Sequence, residues 1–516
     1  MPTTAPALDA FHPLIRDWFA EAVGEPTEIQ ALAWPRIAAG EHVLATAPTG
    51  SGKTFTAFLW ALDRLLRGHW TPGGVRVLYV SPLRALGTDI RRNLKRPLAE
   101  LVERFRAAGE PVPEIRAVTR SGDTPAGERR RMLSHPPEIL ITTPESLNVL
   151  LTSKSGRSLL TGLETVIVDE VHAVAGSKRG THLVTAVERL VPLAGEFQRI
   201  ALSATVKPLA AVAEWIGGYR VEEVDEGDYV YRPRQVSVVR TRATSKVYDL
   251  KVCSARIPEN TAPENADADA RWVALTRDFK RIIHGNRATL LFANSRRLTE
   301  KVTRLINQDE PADLAYSHHG SLSREVRAVV ERRLKAGELP AIVATSSLEL
   351  GIDVGTLDEV LLIQTPRALS STIQRLGRAG HGVGEVSRGR LYPTHGRDYL
   401  DAAIAARGVA EHDVEEIRPI VAPLDVLAQV VLSMTANQTW GIEELYARLR
   451  ASVPYHGLSR RQFDLVLEML AGRYADTRIR ELHPRLTIDR VAGTVRARPG
   501  VERLVYMAGG TIADRG

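Results

Sequence analysis

Short runs of Val, Ile and Leu alternate with longer amphipathic stretches along the first half of this 516-residue chain. The apolar runs are HVLATAP (42–48), VRVLYVSP (75–82), EILITTP (138–144), TVIVDE (165–170) and RIALSAT (199–205). Runs that are apolar on both faces are typical of parallel strands covered by helices on both sides. The stretches between them, such as KTFTAFLWALDRLL (53–66), have a helical period. This alternation predicts an α/β fold with a parallel sheet.

The alternation breaks over the polar residues 253–270 and then resumes. The second set of apolar runs is ATLLFANS (288–295), DLAYSHHG (313–320), PAIVATSS (340–347), DEVLLIQTP (358–366) and GRLYPT (389–394). The two sets have similar size and rhythm, which predicts two α/β domains in tandem.

The rhythm changes again after about residue 412. Three helical stretches, at 423–436, 442–452 and 460–472, precede an alternating hairpin pattern at 485–500. Three helices and a hairpin indicate a winged helix, in which Trp440 fits either a core or a base-stacking role. The final GGTIADRG is typical of a turn leading into another strand. We therefore predict two α/β domains, a winged helix and the start of a further β-rich domain, at 1–222, 223–412, 413–500 and 501–516.

Composition excludes several classes of protein. The chain is 44% hydrophobic and 25% charged, as ordinary globular proteins are, and no apolar run approaches the roughly 18 residues of a spanning helix. The N-terminus lacks a signal-peptide pattern, and the one cysteine, Cys253, cannot form an internal disulfide. These features predict a cytoplasmic protein without a membrane partner. The net charge of +7 favours a polyanionic partner only weakly.

The segment APTGSGKT follows one apolar run and opens a helical stretch. Glycines let backbone N–H groups wrap an anion, and the start of a helix adds the positive end of its dipole. A lysine there can reach the β and γ phosphates, and the next hydroxyl can ligate Mg²⁺. We therefore predict a nucleotide site, ATP with Mg²⁺, formed by Thr49, Gly50, Ser51, Gly52, Lys53 and Thr54.

An acidic pair ends a later strand of the same predicted sheet. Asp169 is suited to hold Mg²⁺, and Glu170 to orient or activate the attacking water. The next strand ends in Ser203-Ala204-Thr205, whose hydroxyls could link this site to another surface by hydrogen bonds.

In the second domain, helical spacing places Gln374 and Arg378 on one face of the QRLGRAGH segment. A guanidinium can stabilise charge on a transferred phosphoryl group, provided that the two domains close on each other. ATP binding would then control the gap between the domains.

The segments AxxGSGKT, SPLRALGTD, TTPES, DEVH, SAT, ANSRR, ATSSLELGID and QRLGRAGH occur in this order, after Gln30 in EPTEIQ. This set resembles the superfamily two DExH-box helicases. More narrowly, SPLRALGTDIRRNL, RSGDTPAGERR, DEVHAVAGSKRGTHL and QRLGRAGHGVGE resemble the Lhr (large helicase-related) group. The resemblance covers residues 11 to 516, and it implies two RecA-like domains followed by a winged helix.

The resemblance also implies roles at the nucleotide. Gln30 would read adenine, with Phe11 or Trp18 packing near the base, and Gly351 and Asp353 would lie near the nucleotide in the closed state. Lys53, Asp169 and Glu170 would act in hydrolysis with Gln374, Arg375 and Arg378, of which Arg378 would be the arginine finger. His381 stands where many relatives have a second Arg.

The same resemblance implies a nucleic-acid track at the carboxyl ends of strands, where ligands of open α/β sheets bind. Hydroxyls, backbone amides and helix N-termini there can hold phosphates without reading sequence. The predicted contacts are Pro82, Arg84, Ala85, Thr143, Pro144, Glu145, Asn294, Ser295, Arg296, Thr345 and Ser346.

These features predict an ATP-dependent helicase or translocase. By resemblance it moves 3′ to 5′ on single-stranded DNA and unwinds DNA:DNA or RNA:DNA duplexes, with a role in DNA repair. One alternative is an ATP-switched nucleic-acid clamp, or an ATPase stimulated by single strands, that does not separate strands. Another is an ATPase that acts on a protein or a metabolite.

Overall fold

The computed structural model describes residues 5–48, 50–82, 84–241, 247–254, 266–349, 355–380, 386–473 and 483–511. These residues form two compact units. One unit contains the first parallel sheet together with the segment Glu416–Gly516, and the other contains the second parallel sheet, within Arg242–Glu415. None of the helices in the described ranges is long and apolar enough to span a bilayer.

The described residues of the first domain form nine strands: β1 (His42–Thr46), β2 (Val77–Val80), β3 (Ala117–Arg120), β4 (Ile139–Thr142), β5 (Thr165–Val168), β6 (Gln198–Ser203), β7 (Tyr219–Asp225), β8 (Asp228–Pro233) and β9 (Val236–Arg240). Seven of them form a parallel sheet in the order β3-β4-β2-β5-β6-β1-β9, and β7 and β8 form a separate antiparallel hairpin. Every residue of β2, β4 and β5 is buried, as expected for strands covered on both faces.

Helices α1 to α10 surround this sheet. Their bounds are α1 (Pro13–Ala22), α2 (Glu28–Ala38), α3 (Lys53–Leu66), α4 (Arg84–Ala107), α5 (Ala126–Ser134), α6 (Pro144–Thr152), α7 (Lys154–Leu159), α8 (Lys178–Glu188), α9 (Val191–Ala194) and α10 (Leu209–Gly217). Two apolar cores contain the buried side chains of these strands and helices.

The second domain repeats the architecture. Its strands are β10 (Tyr248–Val252), β11 (Thr289–Ala293), β12 (Ala315–His318), β13 (Ala341–Ala344), β14 (Glu359–Ile363) and β15 (Ser387–Tyr392). They form a parallel sheet in the order β10-β15-β14-β11-β13-β12. Its helices are α11 (Ala266–Gly285), α12 (Arg296–Asn307), α13 (Arg324–Lys335), α14 (Leu369–Leu376) and α15 (Gly396–Glu411). The predicted tandem of parallel sheets is therefore confirmed.

The third domain has the predicted helices and hairpin. Its elements are α16 (Leu424–Thr435), β16 (Trp440–Gly441), α17 (Ile442–Arg450), α18 (Val453–His456), α19 (Arg460–Leu470), β17 (Leu486–Asp489), β18 (Thr494–Ala497) and α20 (Val501–Met507). The strands form a small antiparallel sheet in the order β16-β18-β17. Trp440 is buried and its indole N–H donates to the carbonyl of Met434 (3.0 Å), so it belongs to the core rather than to a stacking surface.

This third domain packs on the first one. Helix α16 lies against α6 and α8. The Ser433 hydroxyl lies 2.6 Å from the hydroxyl of Thr152 and accepts a bond from Arg189 (2.7 Å). Lys178 forms an ion pair with Asp425 (3.0 Å).

The structure bears on two of the predicted domain limits, at residues 222 and 501. Strand β9 lies in the first sheet beside β1, so this sheet extends past the boundary predicted at residue 222. The prediction ended early because the exposed, charged hairpin β7–β8 interrupts the apolar rhythm before β9. Residues Val501–Met507 form helix α20, and 512–516 lie outside the described residues, so a β-rich domain beginning at 501 stays a prediction.

Candidate functional site

The loop between β1 and α3 has the backbone geometry of a phosphate-binding loop. Gly50 and Gly52 have positive φ angles of 80° and 82°, and Gly52 is the N-cap of α3. A Cβ atom on Gly52 would lie 2.8 Å from Nε2 of Gln30. Only glycine therefore fits this position without strain. Thr49 lies outside the described residues.

Lys53, the first residue of α3, is buried beneath this loop. Its ammonium donates to the backbone carbonyls of Ala47 (2.6 Å) and Pro48 (2.7 Å). Burial lowers the pKa of Lys53, and the charges of Glu170 and Asp169 oppose that shift. Lys53, the only lysine of the APTGSGKT segment, is thus held at the phosphate loop. Thr54 is the next residue of α3.

Gln30 reaches the same loop from α2. Its carbonyl oxygen accepts a hydrogen bond from the backbone N–H of Thr27 (2.9 Å), and its amide nitrogen faces Gly52. The two aromatic candidates lie in the core instead. Phe11 packs edge-on against Trp34, and Trp18 donates to Glu100 (2.8 Å). Both are only 3% exposed, so the structure presents neither of them at the surface.

The acidic pair follows β5. The phenol of Tyr79 donates to Oδ2 of Asp169, and the backbone N–H of Glu170 donates to Oδ1 (2.7 Å). Burial, together with the neighbouring charge of Glu170, raises the pKa of Asp169 to about 6. Burial disfavours the charged form of a carboxylate, so a bound cation would relieve a real electrostatic cost here.

A histidine connects the acidic pair to the end of β6. The backbone N–H of Ala204 donates to Nδ1 of His172 (3.1 Å), and the Ser203 hydroxyl lies 3.3 Å from the same nitrogen. An amide N–H can only donate, so Nδ1 is the acceptor and the ring proton is on Nε2. Nε2 lies 3.5 Å from Oε2 of Glu170. Ser203 and Ala204 thus contact Nδ1 of His172, and the opposite side of the same ring faces the Glu170 carboxylate.

The predicted track residues of the first domain follow β2 and β4, at the same sheet edge as the phosphate loop and the acidic pair. Pro82 is buried, and Arg84 opens α4, although its side chain lies outside the described ones. Thr143 is the N-cap of α6, where its hydroxyl accepts from the N–H of Ser146 (3.4 Å), and Pro144 is the first helical residue.

Glu145 differs from its neighbours because a partner already holds its carboxylate. Arg179 donates to both of its oxygens, at 2.5 and 3.0 Å. Burial alone would raise the pKa of Glu145, but the Arg179 guanidinium, together with hydrogen bonds from the backbone and from Thr143, lowers that pKa. Arg179 is about one third exposed. Arg179 is not among the contacts predicted from the sequence, although it lies in the SKRGTH segment that carries the resemblance.

The second-domain residues lie at the carboxyl ends of β11 and β13 and around α14. The Ser295 hydroxyl caps α12 by accepting from the N–H of Leu298 (3.2 Å), Arg296 begins that helix, and Thr345 follows β13. Gln374 is buried on α14. Gly351, Asp353 and His381 lie outside the described residues.

The structure brings Asn294, Arg375 and Arg378 together around Glu349, which is not among the residues predicted from the sequence. Arg375 donates to Oε2 of Glu349 (2.9 Å) and to Oδ1 of Asn294 (3.0 Å). Arg378 donates to the backbone carbonyl of Glu349. One feature of the sequence could have identified Glu349: it is an acidic residue between two leucines within ATSSLELGID.

Three family descriptions match the chain. They are DEAD/DEAH box helicase over residues 27–212, Helicase conserved C-terminal domain over 275–382, and Large helicase-related protein, winged helix domain over 407–516. Together they cover all three domains.

Two curated proteins are similar over almost the whole chain. The Lhr helicase and probable uracil glycosylase of Mycolicibacterium smegmatis is 41% identical, over 99% of this chain and 35% of that protein. The ATP-dependent helicase Lhr-Core protein 2 of Thermococcus barophilus is 40% identical, over 97% of this chain and 57% of that protein. The chain thus spans about a third to a little over half of these relatives.

A solved structure has the same fold. The helicase Lhr of Mycobacterium smegmatis, bound to ssDNA and AMP-PNP, matches with a TM-score of 0.88 and 43% identity, over 99% of this chain and 63% of that chain. The motifs, the three domains and these similarities agree. The chain therefore belongs to the large helicase-related (Lhr) group of superfamily two DExH-box helicases.

Proposed function

We propose that this chain is the motor of an ATP-dependent helicase. It hydrolyses ATP, moves 3′ to 5′ along single-stranded DNA and unwinds DNA:DNA or RNA:DNA duplexes. The observation that carries the proposal is one sheet edge in the first domain: Lys53, Asp169 and Glu170 lie there, at the same edge as the predicted track residues after β2 and β4. A role in DNA repair and a cytoplasmic location are part of the proposal.

In this proposal the phosphate loop and the acidic pair act on ATP. The N–H groups of the loop and the N-terminus of α3 hold the phosphates, and Lys53 exchanges its two carbonyl partners for phosphate oxygens. Glu170 orients the attacking water and takes its proton, while His172 keeps the Glu170 side chain in place.

The side chains of Thr54 and Asp169 would hold Mg²⁺. A hydroxyl and a buried carboxylate fit this ion, which binds one or two carboxylates together with substrate phosphates and keeps several waters. When bound, Mg²⁺ neutralises charge that develops on the phosphates. Among the described residues there is no cluster of three or more His, Cys, Asp and Glu side chains, so an all-protein metal cage is not proposed.

Arg378 acts as the arginine finger in this proposal, because a guanidinium stabilises charge on the transferred phosphoryl group. The role requires the two domains to close on the nucleotide. His381 occupies the position of a second finger in many relatives, so we expect a single finger here.

The nucleic-acid strand would be held by its phosphates rather than read by sequence. Helix N-termini, hydroxyls and backbone amides at strand ends are suited to that task. Glu145 contributes by orienting the partly exposed guanidinium of Arg179 toward a phosphate, rather than by a contact of its own carboxylate.

The test is the rate of ATP hydrolysis against a panel of single-stranded DNA and RNA, with displacement of a 3′-tailed duplex measured on the same protein. The Lys53→Ala variant should bind single strands with nearly the wild-type affinity and should not hydrolyse ATP. Robust hydrolysis by Lys53→Ala would sink the site assignment. Stimulated hydrolysis without displacement would favour the clamp. No stimulation at low salt, where phosphate contacts are strongest, would favour a protein or metabolite substrate.

A further inference from the structure

Glu349 is a buried acid of the second domain, next to the arginines of the QRLGRAGH segment. It follows β13 and the short 3₁₀ turn Ser346–Leu348, and it is 8% exposed. Its Oε2 accepts from Nε of Arg375 (2.9 Å), and its Oε1 accepts from the hydroxyl of Ser371 (2.5 Å). Both carboxylate oxygens are thus engaged by α14.

The backbone of the same residue holds the predicted arginine finger. The carbonyl of Glu349 accepts from Nη2 (2.9 Å) and Nε (3.3 Å) of Arg378. One residue therefore restrains both arginines, Arg375 by its side chain and Arg378 by its main chain. A shift in the Glu349 backbone must also move the partner atom of Arg378.

On its other side, Arg375 contacts the nucleic-acid motif after β11. Its Nη1 donates to Oδ1 of Asn294 (3.0 Å), and its guanidinium lies over the ring of Phe292 at 5.1 Å. The amide nitrogen of Asn294 donates to the carbonyl of Thr365 (3.0 Å), which fixes the amide orientation and turns Oδ1 toward Arg375. The hydrogen bonds run continuously from Asn294 through Arg375 and Glu349 to Arg378.

We infer that Glu349 is a positioning residue that transmits nucleic-acid binding at Asn294 to the arginine finger Arg378. This inference rests on the proposed function, because it takes Asn294 as a nucleic-acid contact and Arg378 as the finger. Charge-assisted hydrogen bonds inside a protein are strong and directional. Arg375 is only 6% exposed, so it has little access to water as a substitute partner. A displacement of the Asn294 amide is then passed on to Glu349.

The test compares Glu349→Gln with Glu359→Gln. Glu359 is the matched control, because it is also 8% exposed, also pairs with an arginine (Arg390, 2.6 Å), and begins a strand of the same sheet at the opposite edge. The measured quantity is the stimulation factor, kcat for ATP hydrolysis with saturating single-stranded DNA divided by kcat without it. We expect Glu349→Gln to lower this factor about tenfold, because the neutral amide keeps one acceptor oxygen but loses the negative charge that strengthens the bond to Arg375. Glu359→Gln should leave it unchanged.

Two further measurements separate positioning from general damage. KM for ATP and Kd for single-stranded DNA should stay within about twofold of wild type in Glu349→Gln, since the residue contacts neither ligand in the proposed mechanism. In the double variant Asn294→Ala/Glu349→Gln, the stimulation factor should fall no further than in the more impaired single variant, because residues of one relay are not additive.

Each outcome is decisive. A stimulation factor that Glu349→Gln leaves intact, or losses that multiply in the double variant, would overturn the inference and leave the proposed function standing. A wild-type protein without stimulation by single strands would overturn the proposed function and the inference with it.

Discussion

The phenol of Tyr79 donates a hydrogen bond to Oδ2 of Asp169, the residue proposed to hold Mg²⁺. Tyr79 is fully buried on β2 and its ring stacks on Phe58 at a centroid distance of 5.1 Å. The other oxygen of Asp169 accepts from the backbone N–H of Glu170. A hydroxyl inside an otherwise apolar strand therefore fixes the orientation of the carboxylate, in the way that outer-shell partners orient metal ligands.

Replacing Tyr79 with Phe should weaken Mg²⁺-dependent nucleotide binding. The ring can still stack on Phe58, so the free energy of unfolding should fall by only about 1 kcal/mol. The loss of the hydrogen bond should raise the Mg²⁺ concentration needed for half-maximal binding of an ATP analogue by roughly tenfold. Titration of Mg²⁺ against a fluorescent nucleotide measures this. Tyr392→Phe is the control, since Tyr392 is also buried and donates to an aspartate, Asp278, in the second domain. Equal Mg²⁺ dependence in the two variants would contradict the assigned role.

Replacing Gly52 with Ala should disable the phosphate loop. The new Cβ would lie 2.8 Å from Gln30 Nε2, at a φ of 82° that an L side chain rarely adopts. We expect nucleotide affinity to fall at least about tenfold, because the loop and Gln30 must both move. Gly493→Ala separates the effect of the positive φ from the effect of the close approach to Gln30. Gly493 has a φ of 62°, but nothing lies within 4 Å of its Cβ position. It should cost about 1 kcal/mol of stability and no nucleotide affinity. Similar binding losses in both variants would show that the close approach to Gln30 is irrelevant.

Replacing Glu188 with Ala should strongly destabilise the first domain. Its carboxylate pairs with Arg199 (2.5 Å) and Arg234 (3.2 Å), and all three side chains are almost completely buried. Removing one partner of a buried pair leaves an uncompensated charge, at a cost of about 3–5 kcal/mol. Glu443→Ala, which breaks an exposed pair with Arg460, should cost less than about 1 kcal/mol. Urea denaturation of the two variants measures the difference, and comparable midpoints would refute this account.

The stability of the first domain should depend on pH through His42. Its Nδ1 accepts from the backbone N–H of Arg199 (3.1 Å). Burial and the charges of Arg199 and Arg234 lower the pKa of His42 to about 4. Between pH 6.5 and 4 the unfolded chain binds a proton at His42 and the folded chain does not. Proton binding therefore favours the unfolded chain, and the free energy of unfolding decreases as the pH falls through that range.

The measurement is the free energy of unfolding at pH 7 and pH 4.5 for the wild type and for His42→Gln. The wild type should lose about 2 kcal/mol more than the variant between these two values, because glutamine does not titrate. Parallel pH profiles for the two proteins would exclude His42 as the source.

Much of the fold and of the site was predictable because the signals are local. Runs that are apolar on both faces predicted β1, β2, β4, β5 and β6 in the first sheet and β11 to β15 in the second, but not β3, β9 or β10. Helical periods identified α16, α17 and α19 in the winged helix. In a parallel sheet the carboxyl ends of the strands meet at one edge, so residues that follow different strands share that edge. Lys53 and Asp169 follow β1 and β5 and lie there, as their positions in the sequence predicted.

Other features depended on partners that no local pattern specifies. Strand β9 belongs to the first sheet, but the exposed hairpin β7–β8 precedes it and interrupts the apolar pattern of the sequence. The sequence around Trp440 is compatible both with a core residue and with a residue that stacks on a base. Its burial and its hydrogen bond to the carbonyl of Met434 show that it belongs to the core.

The sequence by itself determined which chemical groups stand at the ends of which strands, because chain order and hydrophobic period are properties of short segments. The tertiary structure alone decided what holds those groups in place. Tyr79 and Asp169 are 90 residues apart, and Asn294 and Arg375 are 81 apart. A hydrogen bond between such residues exists only once packing has brought their strands and helices together and has removed competing water.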